Sequence, residues 1–137
     1  MPTTLADVDR DGATDIVVTN KASGEFGVLR NLGHGAFAPA VLYRAGGGLY
    51  GVTNTDGSAT LTTLEATSGV SAGAFSRGDP PDLVAADPGS NTFSLLRGLG
   101  AGRFANPVTV PTASPARAIR VADLEGNGVP DMIVLGT

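Results

Sequence analysis

Residues 15–43, "DIVVTNKASGEFGVLRNLGHGAFAPAVLY", return 67 positions later (15 to 82) as residues 82–110, "DLVAADPGSNTFSLLRGLGAGRFANPVTV". Twelve of these 29 aligned positions are identical without a gap, far more than chance agreement produces. A third, partial copy is visible when "ADVDRDGATDIVV" (6–18) is compared with "ADLEGNGVPDMIV" (122–134). The chain is therefore built from repeats, and the repeat unit decides the fold.

Each copy predicts the same series of short strands. Apolar runs such as "DIVVTN" are bounded by polar or turn residues, and a glycine turn separates "EFGVLRN" from "AFAPAVLY". The unit is strand A, acidic loop, strand B, strand C, glycine turn and strand D. Four antiparallel strands in about 50 residues are the size of a propeller blade. The sequence predicts an all-β fold of four-stranded antiparallel blades from a β-propeller, with about two and a half blades and an incomplete ring.

The repeats are not evenly spaced. The third copy begins 49 residues after the second (82 to 131), so the first spacing holds about 18 extra residues (67 less 49), with "NTDG" (54–57) as a turn signal. We expect one domain over 1–137, made of blade 1 at 1–47, an inserted hairpin at 48–69, blade 2 at 70–113 and the first half of blade 3 at 114–137. Because such a set cannot close a ring, we expect either self-association or a place in a longer propeller chain.

The first acidic loop predicts a metal site. Carboxylates at alternating positions can point at one centre, and Gly12 at the sixth position permits a sharp turn. An EF-hand loop closes with a glutamate at its twelfth position, but that position is Val18 here, so closure falls to the aspartate at position nine. Hard oxygen donors of this kind suit Ca²⁺. The expected ligands are Asp7, Asp9, Asp11, the backbone carbonyl of Ala13, and Asp15.

The other two loops keep this pattern unequally. In the third loop the expected ligands are Asp123, Glu125, Asn127, the carbonyl of Val129, and Asp131. We expect weaker calcium binding there, because Glu125 is longer than aspartate and Asn127 is neutral. The second loop, "AFSRGDPPD" (74–82), keeps only Asp82 in place, so we expect it to bind no calcium. The alternative for all three loops is a solvated polar turn.

The D-x-D-x-D-G-x-x-D loop, followed by F-x-x-L-R and G-x-G-x-F, resembles the FG-GAP/VCBS repeat of integrin-α-like β-propellers. The similarity covers nearly the whole chain apart from the insert. It implies a Ca²⁺-binding loop between strands A and B, and membership of a secreted or surface protein. It also implies adhesion, protein binding or sugar binding.

Composition excludes several classes of function. The net charge of −4 argues against general nucleic-acid binding, and two bound Ca²⁺ ions would offset it. The chain has no cysteine, and we expect neither a membrane span nor a signal peptide in it. With no G-x-S-x-G serine, histidine cluster or phosphate-binding glycine loop, we expect no enzymatic activity.

Other residues have ordinary explanations that we prefer to functional ones. His34 is expected to be a turn residue and the repeated phenylalanines to be core residues. Arg30 and Arg97 are expected to make blade-to-blade or side-chain-to-backbone contacts, with binding of a carboxylate or a sugar as the alternative. Tyr43 and Tyr50 are expected to pack, with stacking on a sugar ring as the alternative. The Arg-Gly-Asp triplet within 76–79 is better explained as a degenerate calcium loop than as an integrin ligand.

Together with the resemblance, which implies the location and the adhesive role, the sequence predicts a calcium-stabilised, non-catalytic binding or adhesion module of an extracellular or cell-surface propeller protein. Its ligand is expected to be a protein or a glycan. Two alternatives stay open: a lectin-like propeller, and an accessory domain of a larger secreted enzyme.

Overall fold

The computed structural model describes residues 3–20, 24–45, 49–53, 59–63, 69–75, 78–87 and 90–136, with the backbone alone at 49–53 and 59–63. These residues form antiparallel sheets and no α-helix, which confirms the predicted all-β class of propeller-like blades. In the described part of the chain there is accordingly no helix with the length and apolar character to cross a membrane.

The first blade is a four-stranded antiparallel sheet. Its strands, in spatial order, are β1 (Thr3–Ala6), β2 (Asp15–Asn20), β3 (Glu25–Leu29) and β6 (Val41–Arg44). A two-stranded hairpin of β4 (Asn31–Gly33) and β5 (Ala36–Phe37) lies between β3 and β6 along the chain. The β-branched run in β2 favours the extended backbone, and alternate residues of that strand are buried.

The second blade repeats this arrangement. Its sheet has the order β9 (Gly69–Gly73), β10 (Asp82–Asp87), β11 (Thr92–Leu96) and β14 (Val108–Pro111), with a hairpin of β12 (Gly98–Gly100) and β13 (Arg103–Phe104) after β11. The third repeat supplies one pair, β15 (Ala118–Ala122) and β16 (Asp131–Leu135). The insert contains a separate hairpin of β7 (Leu49–Thr53) and β8 (Ala59–Thr63).

The prediction of one continuous strand D over "AFAPAVLY" was wrong. The segment divides into β5, which pairs with β4, and β6, which pairs with β3. Pro39 lies at the division and has no N–H to offer a sheet, while the N–H of Ala38 donates to the carbonyl of Arg30. The second blade divides in the same way at Pro107.

The first strands of the three repeats lie side by side. Strand β9 contacts β1 on one side and β15 on the other, so the second blade stands between the first blade and the half blade. This is the arrangement of neighbouring propeller blades, and the described sheets do not close into a ring.

Strand β10 is the centre of the core because all six of its residues are buried. Leu83 and Ala85 pack in a cluster with Val17 and Phe26 of the first blade. Val84 and Ala86, which are two residues apart on the strand, face the other way and pack with Ile119 of the half blade in a second cluster. The strand therefore joins two apolar layers, one on each face of the second blade.

The outer faces of the first blade and of the half blade carry exposed apolar residues. On the first blade, Leu5 is 65% and Leu42 62% exposed. On the half blade, Ile133 and Leu135 are exposed as well, the latter at 62%. Exposed apolar residues on flat sheet faces are typical of surfaces that another protein element covers.

Candidate metal centre

The first acidic loop joins β1 to β2 at one corner of the first blade. The antiparallel pairing of Ala6 with Asp15 brings the two ends of the loop together. Gly12 has a φ of 89°, a backbone conformation that residues with a side chain rarely adopt. The glycine predicted to permit the sharp turn is therefore needed for it.

Three of the four loop aspartates converge. Asp7, Asp9 and Asp15 each offer a carboxylate oxygen, and these oxygens lie within 4.8 Å of one another. Two oxygens bound to the same Ca²⁺ at 2.3–2.6 Å are at most about 5 Å apart, so this group fits a single calcium ion. Asp11 lies outside the group, and its Oδ1 accepts a hydrogen bond of 2.8 Å from the N–H of Ala13.

Asp15 has a structural role that the sequence did not reveal. Its side chain is fully buried; Oδ2 accepts a 2.8 Å hydrogen bond from the N–H of Val8 and Oδ1 one of 2.8 Å from the N–H of Asn31. The carboxylate thus joins the acidic loop to the residues that follow β3. We call an aspartate with this pair of backbone contacts the clasp.

The second loop keeps the clasp although it has lost the other carboxylates. Asp82 accepts hydrogen bonds from the N–H of Gly98 at 2.8 Å and from the N–H of Phe75 at 3.4 Å. Gly98 stands 67 residues after Asn31, and Phe75 stands 67 after Val8, so the contacts are those of the first repeat. This backbone role explains why the second loop keeps Asp82 without the other carboxylates.

The third loop has the turn of the first loop without its close group of carboxylates. The side chain of Asp123 accepts hydrogen bonds from three backbone N–H groups, which keep its pKa below the ordinary value; the bond from Gly128 has the largest effect. Asp131 accepts from the N–H of Leu124 at 2.9 Å, and Asn127 accepts from the N–H of Val129 at 2.7 Å. Over residues 123–131, however, three acidic side chains do not come within the distance found in the first loop.

Two arginines connect the first loop to the second blade. The guanidinium of Arg30 lies 3.5 Å from the carboxylate of Asp9, and its aliphatic part lies against Gly102. Arg10 donates hydrogen bonds to the backbone carbonyls of Gly78 (2.9 Å) and Asp79 in the second loop. The blade-to-blade contact expected of Arg30 is present, whereas that of Arg10 was not foreseen because its partners are backbone atoms.

Comparison with known proteins identifies the repeat. A family model described as an FG-GAP-like repeat matches residues 81–134, from the start of β10 almost to the end of β16. This segment is similar to an FG-GAP-like repeat. The match contains strands B to D of the second blade and the whole third loop, and it confirms the resemblance predicted from the motifs. No curated protein matches the chain.

The FG-GAP-like segment also contains a buried carboxyl group remote from the loops. Asp87, at the end of β10, is 3% exposed; its Oδ2 lies 2.5 Å from the hydroxyl of Ser94, and its Oδ1 has no hydrogen-bond partner among the described residues. Burial raises its pKa to about 6, although the Ser94 hydrogen bond acts in the opposite direction. No feature of the sequence marks Asp87 in advance, because the cost of a charge there comes from tertiary packing.

The remaining sequence candidates have structural positions. His34 has a φ of 53° in the turn between β4 and β5, as its counterpart Ala101 (52°) does in the second blade. The ring of Tyr43 packs edge-on against Phe104 at 5.4 Å between centroids, and its hydroxyl donates to the carbonyl of Gly102. The side chain of Tyr50, and the arginine at position 77 of the Arg-Gly-Asp triplet, lie outside the described residues.

Proposed function

We propose that this protein is a calcium-stabilised, non-catalytic binding module built from FG-GAP-like repeats, with Ca²⁺ at the first acidic loop. The observation that carries the proposal is the convergence of Asp7, Asp9 and Asp15 within 4.8 Å. FG-GAP repeat domains are generally non-catalytic. The proposal therefore assigns the carboxylates to one cation rather than to a reaction.

Electrostatics favour a cation over a plain polar turn. Three carboxylates at this distance repel one another, and Arg30, 3.5 Å from Asp9, neutralises one charge of the group. A divalent cation compensates the other two. Asp15 keeps its two backbone hydrogen bonds while acting as a ligand, because each carboxylate oxygen has a second lone pair. The clasp thus holds one ligand in place before the ion binds.

The third loop is proposed as a weaker site of the same kind. Asp123, Glu125, Asn127, Val129 and Asp131 occupy the equivalent positions and share the backbone turn. Their carboxylates are not gathered, so binding there has to draw the side chains together, and that rearrangement lowers affinity.

Thermal unfolding with calcium and with EDTA tests the proposal. Calcium at a hundred times its Kd stabilises by about 2.7 kcal/mol per site. We expect Asp9→Asn to abolish the calcium-dependent shift of the first loop, because it removes one of the three converging carboxylates. The fold should be retained, because Asp9 is not a clasp residue. Asp79→Asn in the second loop is the matched control and should retain the full shift. A melting temperature that is the same in calcium and EDTA would contradict the proposal.

Isothermal titration then separates the two loops. Unchanged protein should show a tight and a weak site, and Asp9→Asn should leave the weak site alone. Asp123→Asn should remove that weak site without altering the tight one. Equal affinities at the two loops would contradict the ranking that the geometry supports.

For the ligand we propose an extracellular or cell-surface protein, with adhesion as the biological role. The packing of Tyr43 against Phe104 supports this choice over a glycan, because the ring is already engaged within the molecule. Glycan-array binding that is lost in Tyr50→Ala would instead establish the lectin-like alternative. The role of accessory domain in a larger secreted enzyme stays a prediction.

A further inference from the structure

Arg10 attaches the first acidic loop to the second loop. Its guanidinium donates hydrogen bonds to the backbone carbonyls of Gly78, at 2.9 Å, and of Asp79. The backbone of Arg10 has a φ of 64°, in a region that residues with a side chain rarely adopt. The equivalent residue of the third loop, 116 positions later, is Gly126, with a φ of 70°. The first loop thus has an arginine where the same turn suits glycine better, and the contact of Arg10 with the second blade offsets this backbone cost.

A second contact between the two blades lies beside Asp9. Gly102, in the turn between β12 and β13, packs so closely on the first blade that an added Cβ would lie 2.7 Å from Cδ of Arg30 and 3.6 Å from Cβ of Asp9. The guanidinium of Arg30 lies 3.5 Å from the carboxylate of Asp9, and the Asp9 side chain is only 9% exposed. The second blade therefore covers one of the three converging carboxylates of the proposed calcium site.

The two contact places are themselves packed together on the second blade. An added Cβ on Gly98 would overlap the carbonyl of Pro81, and one on Gly100 would lie 3.8 Å from the ring of Pro80. Gly98 and Gly100 belong to β12, the strand that leads into the Gly102 turn. The second loop and the β12–β13 hairpin therefore present one continuous surface to the first loop.

We propose that calcium binding at the first loop and the packing of the second blade are energetically coupled, with Arg10 and Arg30 as the positioning residues that link them. This inference rests on the proposed calcium site at the first loop. Coupling between two equilibria is reciprocal. The second blade therefore raises the calcium affinity of the first loop by the same factor by which calcium strengthens the contact between the blades.

Each direction of this coupling has a physical cause. A calcium ion bound by Asp9 fixes the carboxylate that holds Arg30 over Gly102, and it restricts the backbone of the adjacent Arg10. In the other direction, the second blade holds Asp9 in place before the ion binds, so less conformational freedom is lost on binding. The second loop, which is expected to bind no calcium, is thereby held by the positive charge of Arg10.

Isothermal titration of Gly102→Ala with calcium tests the coupling from the side of the second blade, because Gly102 is outside the proposed ligand set. The matched control is Gly35→Ala, which lies 67 positions earlier in the equivalent turn of the first blade. Gly35 also has a positive φ, of 78°, but an added Cβ there meets no atom within 4 Å. We expect the Kd of the tight site to rise about fivefold or more in Gly102→Ala and to stay unchanged in Gly35→Ala. Equal Kd values in the two variants would overturn the proposal.

Substitution of Arg10 separates a positioning role from a merely structural one. A structural residue would lower the melting temperature in EDTA and leave the calcium Kd unchanged. We expect Arg10→Met to raise the Kd of the tight site about fivefold or more, and Arg10→Lys to restore part of the affinity. The control Arg44→Met, exposed on the edge strand β6, should keep the original Kd. A Kd in Arg10→Met equal to that of this control would contradict the role of Arg10.

Nuclear magnetic resonance of the unchanged 137-residue chain provides an independent measurement. An equimolar amount of calcium should shift the backbone amide signals of Gly78 and Gly102, although neither residue is a proposed ligand. Arg10→Met should abolish the response of Gly78 and keep that of Gly102, which is transmitted through Arg30. A response confined to the residues of the first loop would overturn the coupling.

These outcomes distinguish failure of the coupling from failure of the calcium site. If the tight site binds calcium while the glycine signals and the Kd values of the variants stay unchanged, the coupling is wrong and the metal proposal stands. If the unchanged protein binds no calcium at the first loop, both are wrong. Circular dichroism of each variant verifies that the β fold is retained.

Discussion

The buried carboxyl of Asp87 makes the free energy of unfolding depend on pH in a direction opposite to that of most aspartates. Its pKa is raised from 3.8 to about 6, so ionisation of Asp87 costs about 3 kcal/mol more in the folded state than in the unfolded state. Between these two pKa values the folded state holds a proton that the unfolded state releases. The stability linked to Asp87 is therefore fully present below about pH 4 and is lost as pH rises through about 6.

Asp87→Asn removes this dependence and keeps an oxygen for the hydroxyl of Ser94. Urea unfolding of the variant and the unchanged protein should be measured from pH 4 to 8 at constant calcium. We expect the variant to gain up to about 3 kcal/mol relative to the unchanged protein as pH rises from 4 to 7.5. Ser94→Ala is the companion change, and it should steepen the pH dependence because the Ser94 hydrogen bond lowers the pKa. A stability difference that is constant over this range would refute the reasoning.

Three further changes test the packing and the clasp. Asp82→Ala leaves two half-buried N–H groups without their acceptor and should cost about 2–4 kcal/mol in urea unfolding, equally in calcium and EDTA. A loss confined to calcium buffer would contradict this. Gly102→Ala should destabilise by at least about 1 kcal/mol more than Gly35→Ala. Gly35 and Gly102 both have a positive φ, but only at Gly102 would the new Cβ lie 2.7 Å from the side chain of Arg30. Equal melting temperatures of the two variants would count against that contact. Phe26→Ala removes a fully buried ring and should cost about 3–5 kcal/mol in urea unfolding; a loss under 1 kcal/mol would exclude it from the core.

Most of the fold could be predicted because the repeats can be compared with one another. Identity between 15–43 and 82–110 fixes equivalent strands without any knowledge of their contacts. The division of strand D was missed because its apolar run continues past Pro39, and only the hairpin partner of Phe37 shows where pairing changes. Local pattern predicts that a strand exists, whereas its partner depends on the sheet.

The acidic loop shows the same limit. Spacing predicted a common centre for the aspartates, and the structure gathers Asp7, Asp9 and Asp15. It leaves Asp11 outside the group; that side chain accepts a hydrogen bond from a backbone N–H of its own turn. Arg10 could not be recognised beforehand, because its partners are backbone carbonyls 68 and 69 residues away, which carry no side-chain signature.

Because the clasp uses only backbone partners, a repeat can keep its fold after it has lost its metal ligands. Asp82 closes its corner with backbone hydrogen bonds although Ala74 and Gly78 stand where the first loop has carboxylates. The repeat therefore folds without carboxylates at the other loop positions. A repeat of this kind can therefore lose calcium ligands at its corner and keep its fold, provided that the clasp aspartate remains.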